Sequence, residues 1–146
     1  MKEQLILDIK NNRFLEARRK IDEILLLTTA NKSSVNYIVE KAILYMKDCY
    51  PENLSLSRVA AQVGVTPNYL SKMFAEHVGV NFSTYLNFIR IKKAEGLLLD
   101  TEFSVAQIAE EVGYADSAYF IKVFRQYTRC TPTQFRYFYY RYQKSF

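Results

Sequence analysis

From Val35 onward, apolar residues recur at helical spacing almost without a break. Ile38, Ala42, Tyr45 and Met46 mark an amphipathic helix over about 35–50, stopped by Pro51. The pattern then predicts helices at about 56–63, 67–77, 82–99, 105–112, 117–127 and 132–142. In the long one, Tyr85, Leu86, Ile89, Ala94, Leu97 and Leu98 supply the apolar positions. Gly96 lies inside it and costs roughly 1 kcal/mol relative to Ala. No run alternates with period two between turn residues, so the expected fold class is all-α. Upstream, Leu5, Ile6 and Ile9 form one apolar stripe, Asn11-Asn12 interrupts it, and Phe14, Ala17, Ile21, Ile24 and Leu25 form another. Residues 3–28 therefore read as a helical pair, set off by the polar run from Thr28 to Ser34.

The turns between the later helices carry more information than their apolar faces. Ala109 and Gly113 sit four apart, a small residue for close helix crossing and a glycine able to take positive φ. Asp116 is an N-cap for the next helix, whose Tyr119, Phe120, Val123 and Phe124 fall on one face. Thr131-Pro132 opens a further helix, with Gln134 completing a capping box. A short helix, a Gly-containing turn and a second helix with an exposed polar face make the helix-turn-helix pattern. The same arrangement stands upstream. Ser55, Ala60 and Gly64 match Ser104, Ala109 and Gly113 at an offset of 49, and the offset becomes 50 from Thr66, which matches Asp116. Tyr69, Leu70, Lys72 and Phe74 then match Tyr119, Phe120, Lys122 and Phe124, and Asn81 and Tyr85 match Thr131 and Phe135. The slip is one extra turn residue near Ala115. Two units with their own caps fit tandem DNA-reading modules better than a solenoid, which usually needs three repeats.

The run from Ala109 to Arg136 resembles the signature of the AraC/XylS transcription regulators. The resemblance is carried by Ala109, Gly113, Tyr114, Asp116, Tyr119, Phe120, Lys122, Phe124, Arg125, Thr131, Pro132, Phe135 and Arg136. The family usually has Gly where this chain has Arg129, which puts the geometry of that loop in question. Arg90-Ile91-Lys92-Lys93-Ala94, followed by Leu97-Leu98, also resembles the family's connecting helix. The implied organisation is a helical extension over 1–34 and a tandem helix-turn-helix domain over 35–146. Its first unit covers about 35–80, its connecting helix about 82–99 and its second unit about 104–146. The extension resembles the linker of some two-component response regulators, so the chain reads either as the C-terminal part of such a protein or as a stand-alone regulator. The resemblance implies sequence-specific binding of duplex DNA, with two recognition helices in successive major grooves. A connecting helix of about eighteen residues spans roughly 27 Å, less than the ~34 Å between groove faces one turn apart. The resemblance accordingly implies DNA bending or engagement of one unit.

Charge and chemistry narrow the alternatives. Residues 1–54 hold nine Lys/Arg against eight Asp/Glu, and residues 55–146 hold eleven against seven, so the basic excess belongs to the repeats. Cys49 and Cys130 lie far apart without metal-ligand spacing, and no leader or membrane-spanning run is evident, which suits a reducing cytoplasm. The lone histidine, His77, and the absence of a phosphate loop or nucleophile elbow argue against an enzyme, and no cofactor is implied. The rival reading is a helical protein–protein interaction module, which unlike a DNA binder would show no steep salt dependence on duplex DNA.

Within the DNA-binding reading, the base-reading set is Thr66, Asn68, Ser71 and Lys72 in the first unit and Ser117, Ala118, Ile121 and Lys122 in the second. Asn68 can pair with adenine and Lys72 with guanine or a phosphate, whereas Ala118 and Ile121 offer only apolar contact to thymine methyls. Phosphate contacts fall to the helix starts at Ser55, Ser57, Ser104 and Thr131 and to Arg90, Lys92, Lys93 and Arg125. Arg90 and Arg136 read equally as ion-pair ties between helices. The aromatic run from Phe135 to Tyr142 is expected to be mostly helix core, with any remainder open to a missing domain, RNA polymerase or a second copy. A homodimer would form through the N-terminal or a missing segment.

Overall fold

A computed structural model describes residues 34–143, and the expected helical pair over 3–28 lies outside them. Seven helices follow one another among the described residues: α1 Ser34–Cys49, α2 Leu56–Val63, α3 Pro67–Val78, α4 Phe82–Asp100, α5 Val105–Glu111, α6 Ser117–Thr128 and α7 Pro132–Gln143. Their ends are set by local chemistry. Ser55 Oγ accepts from the Arg58 amide at 3.1 Å, Thr66 Oγ1 from Tyr69 at 3.2 Å and Asn81 Oδ1 from Thr84 at 2.8 Å, each holding a first-turn donor that the helix leaves unpaired. Helices α2 and α5 end alike. The Val65 amide reaches the Ala60 carbonyl at 3.0 Å and the Tyr114 amide the Ala109 carbonyl at 2.9 Å, across glycines at φ 78° and 103°.

The described residues group into two compact units, one running up to Ile89 and the other from Arg90. The division therefore falls inside α4 rather than at its ends. Phe82, Tyr85, Leu86 and Ile89 belong to the first core, built with Val39, Ala42, Ile43 and Met46 of α1, Val59 and Ala60 of α2 and Leu70, Phe74 and Val78 of α3. Phe74 sits edge-on to Phe82 and Tyr85, with centroids 6.3 and 5.4 Å apart. In the second unit Ile91, Ala94, Leu98, Ile108, Ala109, Val112, Phe120, Val123 and Phe124 are buried, and a chain of rings runs from Tyr114 through Phe120 and Phe124 to Phe135. Ile91 lies off the stripe that Tyr85, Leu86 and Ile89 set, so a single apolar face along α4 does not find it.

Two expectations about aromatic residues are corrected. Tyr119, which helical spacing puts on the apolar face of its helix, and Tyr69, its match in the repeat, remain 50% and 39% exposed. Each stands at the edge of its apolar arc, and a first-turn side chain leans toward the helix start rather than inward. In the run from Phe135 to Tyr142, only Phe135 is fully buried; Tyr137, Tyr139 and Tyr140 are exposed. Among the described residues no helix is long and apolar enough to cross a membrane, and no His/Cys/Asp/Glu group is placed to hold a metal.

Candidate nucleic-acid interface

The second helix of each helix-turn-helix begins with a rigid, solvent-facing turn. In α3, Thr66 is the cap and Pro67 the first helical residue, its fixed φ suited to that position. Asn68, Ser71 and Lys72 follow on the exposed face with Ala75 and Glu76. Opposite them Leu70, Phe74 and Val78 are buried, so the inward face fixes which residues look outward. In α6, Asp116 Oδ1 accepts from the Ala118 amide at 2.9 Å. Ser117, Ala118, Lys122 and Arg125 are exposed and Ile121 is half-buried. Ala118, Ile121, Lys122, Arg125, Gln126 and Thr131 together line one open groove of about 440 Å³. The structure thus gathers five residues chosen from the sequence and adds Gln126. Helical spacing could have found it, four residues beyond Lys122.

The two faces differ in charge. Glu76 offsets Lys72 on the first, whereas Lys122 and Arg125 stand together on the second with neutral Gln126 at the position matching Glu76. Hydrogen-bonding side chains dominate the first face, and cations with an apolar floor dominate the second.

Helix starts proposed as phosphate sites are partly occupied from within. Ser104 and Gln107 close a capping box, side chain to amide both ways, at 3.1 and 2.8 Å. Thr131 and Gln134 do the same at 3.2 and 3.0 Å. Ser57 is exposed on the first turn of α2. On that helix Arg58, not singled out from the sequence, is ion-paired with Glu52, which holds its guanidinium above the usual range. Lys93 is exposed, and Lys92 pairs with Glu95 one turn on at 3.4 Å.

Arg90 and Arg136 both make contacts within the second unit. Arg90 is half-buried with its guanidinium 5.3 Å from the Tyr114 ring centroid, and desolvation pulls its pKa down. Burial likewise pushes the Tyr114 phenol well up, with the nearby Arg90 charge opposing. Arg136 donates to three carbonyls, Leu98 at 2.9 Å, Thr101 at 3.1 Å and Phe103 at 2.7 Å, closing the C-terminal end of α4. Tyr140 adds a bond to the Leu99 carbonyl at 3.1 Å. His77 is half-buried, its ring nitrogen 3.0 Å from the Met73 carbonyl, a role within its own helix.

A helix-turn-helix domain family matches residues 59–137, which spans both units. The regulatory protein PocR of Salmonella typhimurium is 34% identical over 109 residues, 75% of this chain but 36% of PocR. The chain thus spans about a third of that relative's length. Among solved structures, the C-terminal domain of AraT, a response regulator from Geobacillus stearothermophilus, superposes with a TM-score of 0.68 at 37% identity, covering 71% of this chain and 87% of that one. The C-terminal domain of the two-component response regulator yesN from Fusobacterium nucleatum gives 0.64, also at 37% identity, over 66% and 95%.

Proposed function

Since this chain belongs to the AraC/XylS family of helix-turn-helix transcription regulators, we propose that it regulates transcription by reading duplex DNA with α3 and α6 in successive major grooves. The observation that carries this reading is the match between the two faces. Each helix starts at a side-chain cap, is anchored by a buried Leu/Phe or Phe/Phe pair, and presents its first two turns to solvent. Asn68, Ser71 and Lys72 supply direct base readout from the first unit, with Thr66 at the cap. From the second, Ala118 and Ile121 read thymine methyls while Lys122 and Arg125 grip the backbone, and Ser117 lies at the start of the helix. The helix starts at Ser55, Ser57, Ser104 and Thr131 would meet phosphates through their first-turn amides, and Lys92 and Lys93 through their ammonium groups.

The N-terminal extension over 1–34 and the likeness to response-regulator domains support a place at the C-terminal end of a longer regulator. Phosphoryl control would then reside outside residues 35–146, in a cytoplasmic protein. The exposed tyrosines of α7 offer a surface to RNA polymerase or to a second copy.

Binding selection from random duplexes, at two salt concentrations, tests the division of labour. Asn68→Ala should relax base preference at one end of the site, a loss of about 1–3 kcal/mol of discrimination. Lys122→Ala should weaken all sites nearly alike and reduce the salt slope by about one. A consensus altered by Lys122→Ala and unaltered by Asn68→Ala reverses the assignment. Retention of duplex DNA that is indifferent to salt would favour the protein-interaction module instead.

A further inference from the structure

Tyr69 and Tyr119 occupy the same position in their helices, three residues after the caps Thr66 and Asp116. Each is an aromatic residue left in solvent, and neither hydroxyl is hydrogen-bonded to another described residue. At about 100° per residue, Tyr69 stands on the shoulder of its face beside Lys72 and Glu76, one step round from Asn68. Tyr119 stands likewise beside Lys122 and Gln126, one step round from Ala118. A helical side chain leans toward the N-terminal end, here the end presented to DNA.

A helix filling a major groove about 12 Å wide has base edges beneath it and a sugar–phosphate strand along each shoulder. We propose that Tyr69 and Tyr119 are paired phosphate clamps. Each phenol O–H donates to a non-bridging phosphate oxygen at the lip of the groove its helix enters, setting depth and register without reading sequence. The proposal rests on the two-groove reading above and adds residues that reading leaves idle.

The second unit shows how such a clamp is stiffened. The Tyr119 ring lies 5.9 Å from the Tyr114 ring, which is buried beneath the Arg90 guanidinium. Aromatic contact restricts the Tyr119 rotamer, and the cation behind Tyr114 favours an anion nearby. In the first unit the residue after the turn glycine is Val65, so Tyr69 lacks that brace. Phenols suit the task in both units. Being neutral, they add a strong donor without adding charge, notably beside Glu76 where the first face has no net positive charge.

The test uses the selected duplex with wild type, Tyr69→Phe, Tyr119→Phe and the double variant at several salt concentrations. Each single change removes one hydroxyl from an exposed residue, so unaltered thermal melts are expected. Affinity should fall by roughly ten- to a hundredfold per hydroxyl, the effect of losing a bond to a charged acceptor. The consensus and the salt slope should stay the same, because a neutral donor displaces no counterion. Duplexes carrying a single methylphosphonate, scanned one phosphate at a time, should include one position per tyrosine at which wild type and the Phe variant bind equally. Wild-type affinity in either Phe variant, a changed consensus, or a penalty that persists at every scanned phosphate overturns the clamp. The two-groove reading fails separately. A wild-type consensus only one half-site long removes it, whereas a two-part consensus with no Tyr→Phe effect removes the clamp alone.

Discussion

Replacing Arg129 by Gly should relieve backbone strain and leave the protein more stable than replacing it by Ala. The residue caps α6 at φ 64°, ψ 10°, the left-handed region, and is the sole non-glycine with positive φ among the described residues. Its amide donates to the Arg125 carbonyl at 2.8 Å, so the conformation is enforced by the helix end rather than by the side chain. Fifty residues upstream, Gly79 closes α3 in the same way, at φ 83° with its amide on the Ala75 carbonyl. An L-residue in this region costs about 1–2 kcal/mol. Glycine removes that strain but adds unfolded-state entropy worth about 0.5–1 kcal/mol. The gain relative to Ala is about 0.5–1 kcal/mol, or roughly 2–8 °C in melting temperature for a domain of this size. Arg129 also places a cation at the end of α6, worth about 0.3–1 kcal/mol against the helix dipole. The proper reference is therefore Arg129→Ala, which loses the cation and keeps the strain. Thermal melts should rank Gly above Asn above Ala, since Asn tolerates left-handed φ better than Ala. In the reverse experiment, Gly79→Ala should lower stability by a similar amount, because a Cβ there meets no atom within 4 Å and only the backbone term changes. A Gly variant that melts at or below the Ala variant would refute the strain.

The remaining expectations concern α4, the carbonyl clasp and pH. Gly96→Ala should raise stability by about 0.5–1 kcal/mol in urea denaturation, because the added Cβ meets no atom within 4 Å inside a helix. Arg136→Met should cost about 2–3 kcal/mol by leaving the Leu98, Thr101 and Phe103 carbonyls without their charged donor, and Arg136→Lys should recover only part. Unchanged stability with weaker DNA binding would make Arg136 a phosphate contact instead. For Tyr114 the folded pKa lies above the unfolded one, so its contribution to stability is complete below about pH 10 and declines as pH rises toward the folded value. Tyr114→Phe should flatten the alkaline fall in stability, and an identical slope in both proteins would show that Tyr114 does not cause it.

The helices, the caps and the tandem repeat were legible in the sequence because they depend on neighbours along the chain. A cap needs a side-chain oxygen and an amide two or three residues on, and a buried face needs only the helical period. On those grounds alone α2 through α7 are placed to within a residue or two, and the exposed face of α3 follows from what α3 buries. The same reasoning fails where the partner is remote or the residue sits at the edge of a face. Arg136 meets carbonyls 33 to 38 residues away, and Arg90 meets Tyr114 across a helix-to-turn contact, so charge alone left both open between an ion-pair tie and a phosphate contact. Tyr69 and Tyr119 are apolar by composition, yet they stand one step beyond the arc that neighbouring helices cover. The split of α4 between two cores, and the groove that brings Thr131 beside Lys122 and Arg125, likewise appear only once distant segments meet. Local hydrogen bonds are written in adjacent residues; which surfaces stay in water is decided by the packing of helices far apart in the chain.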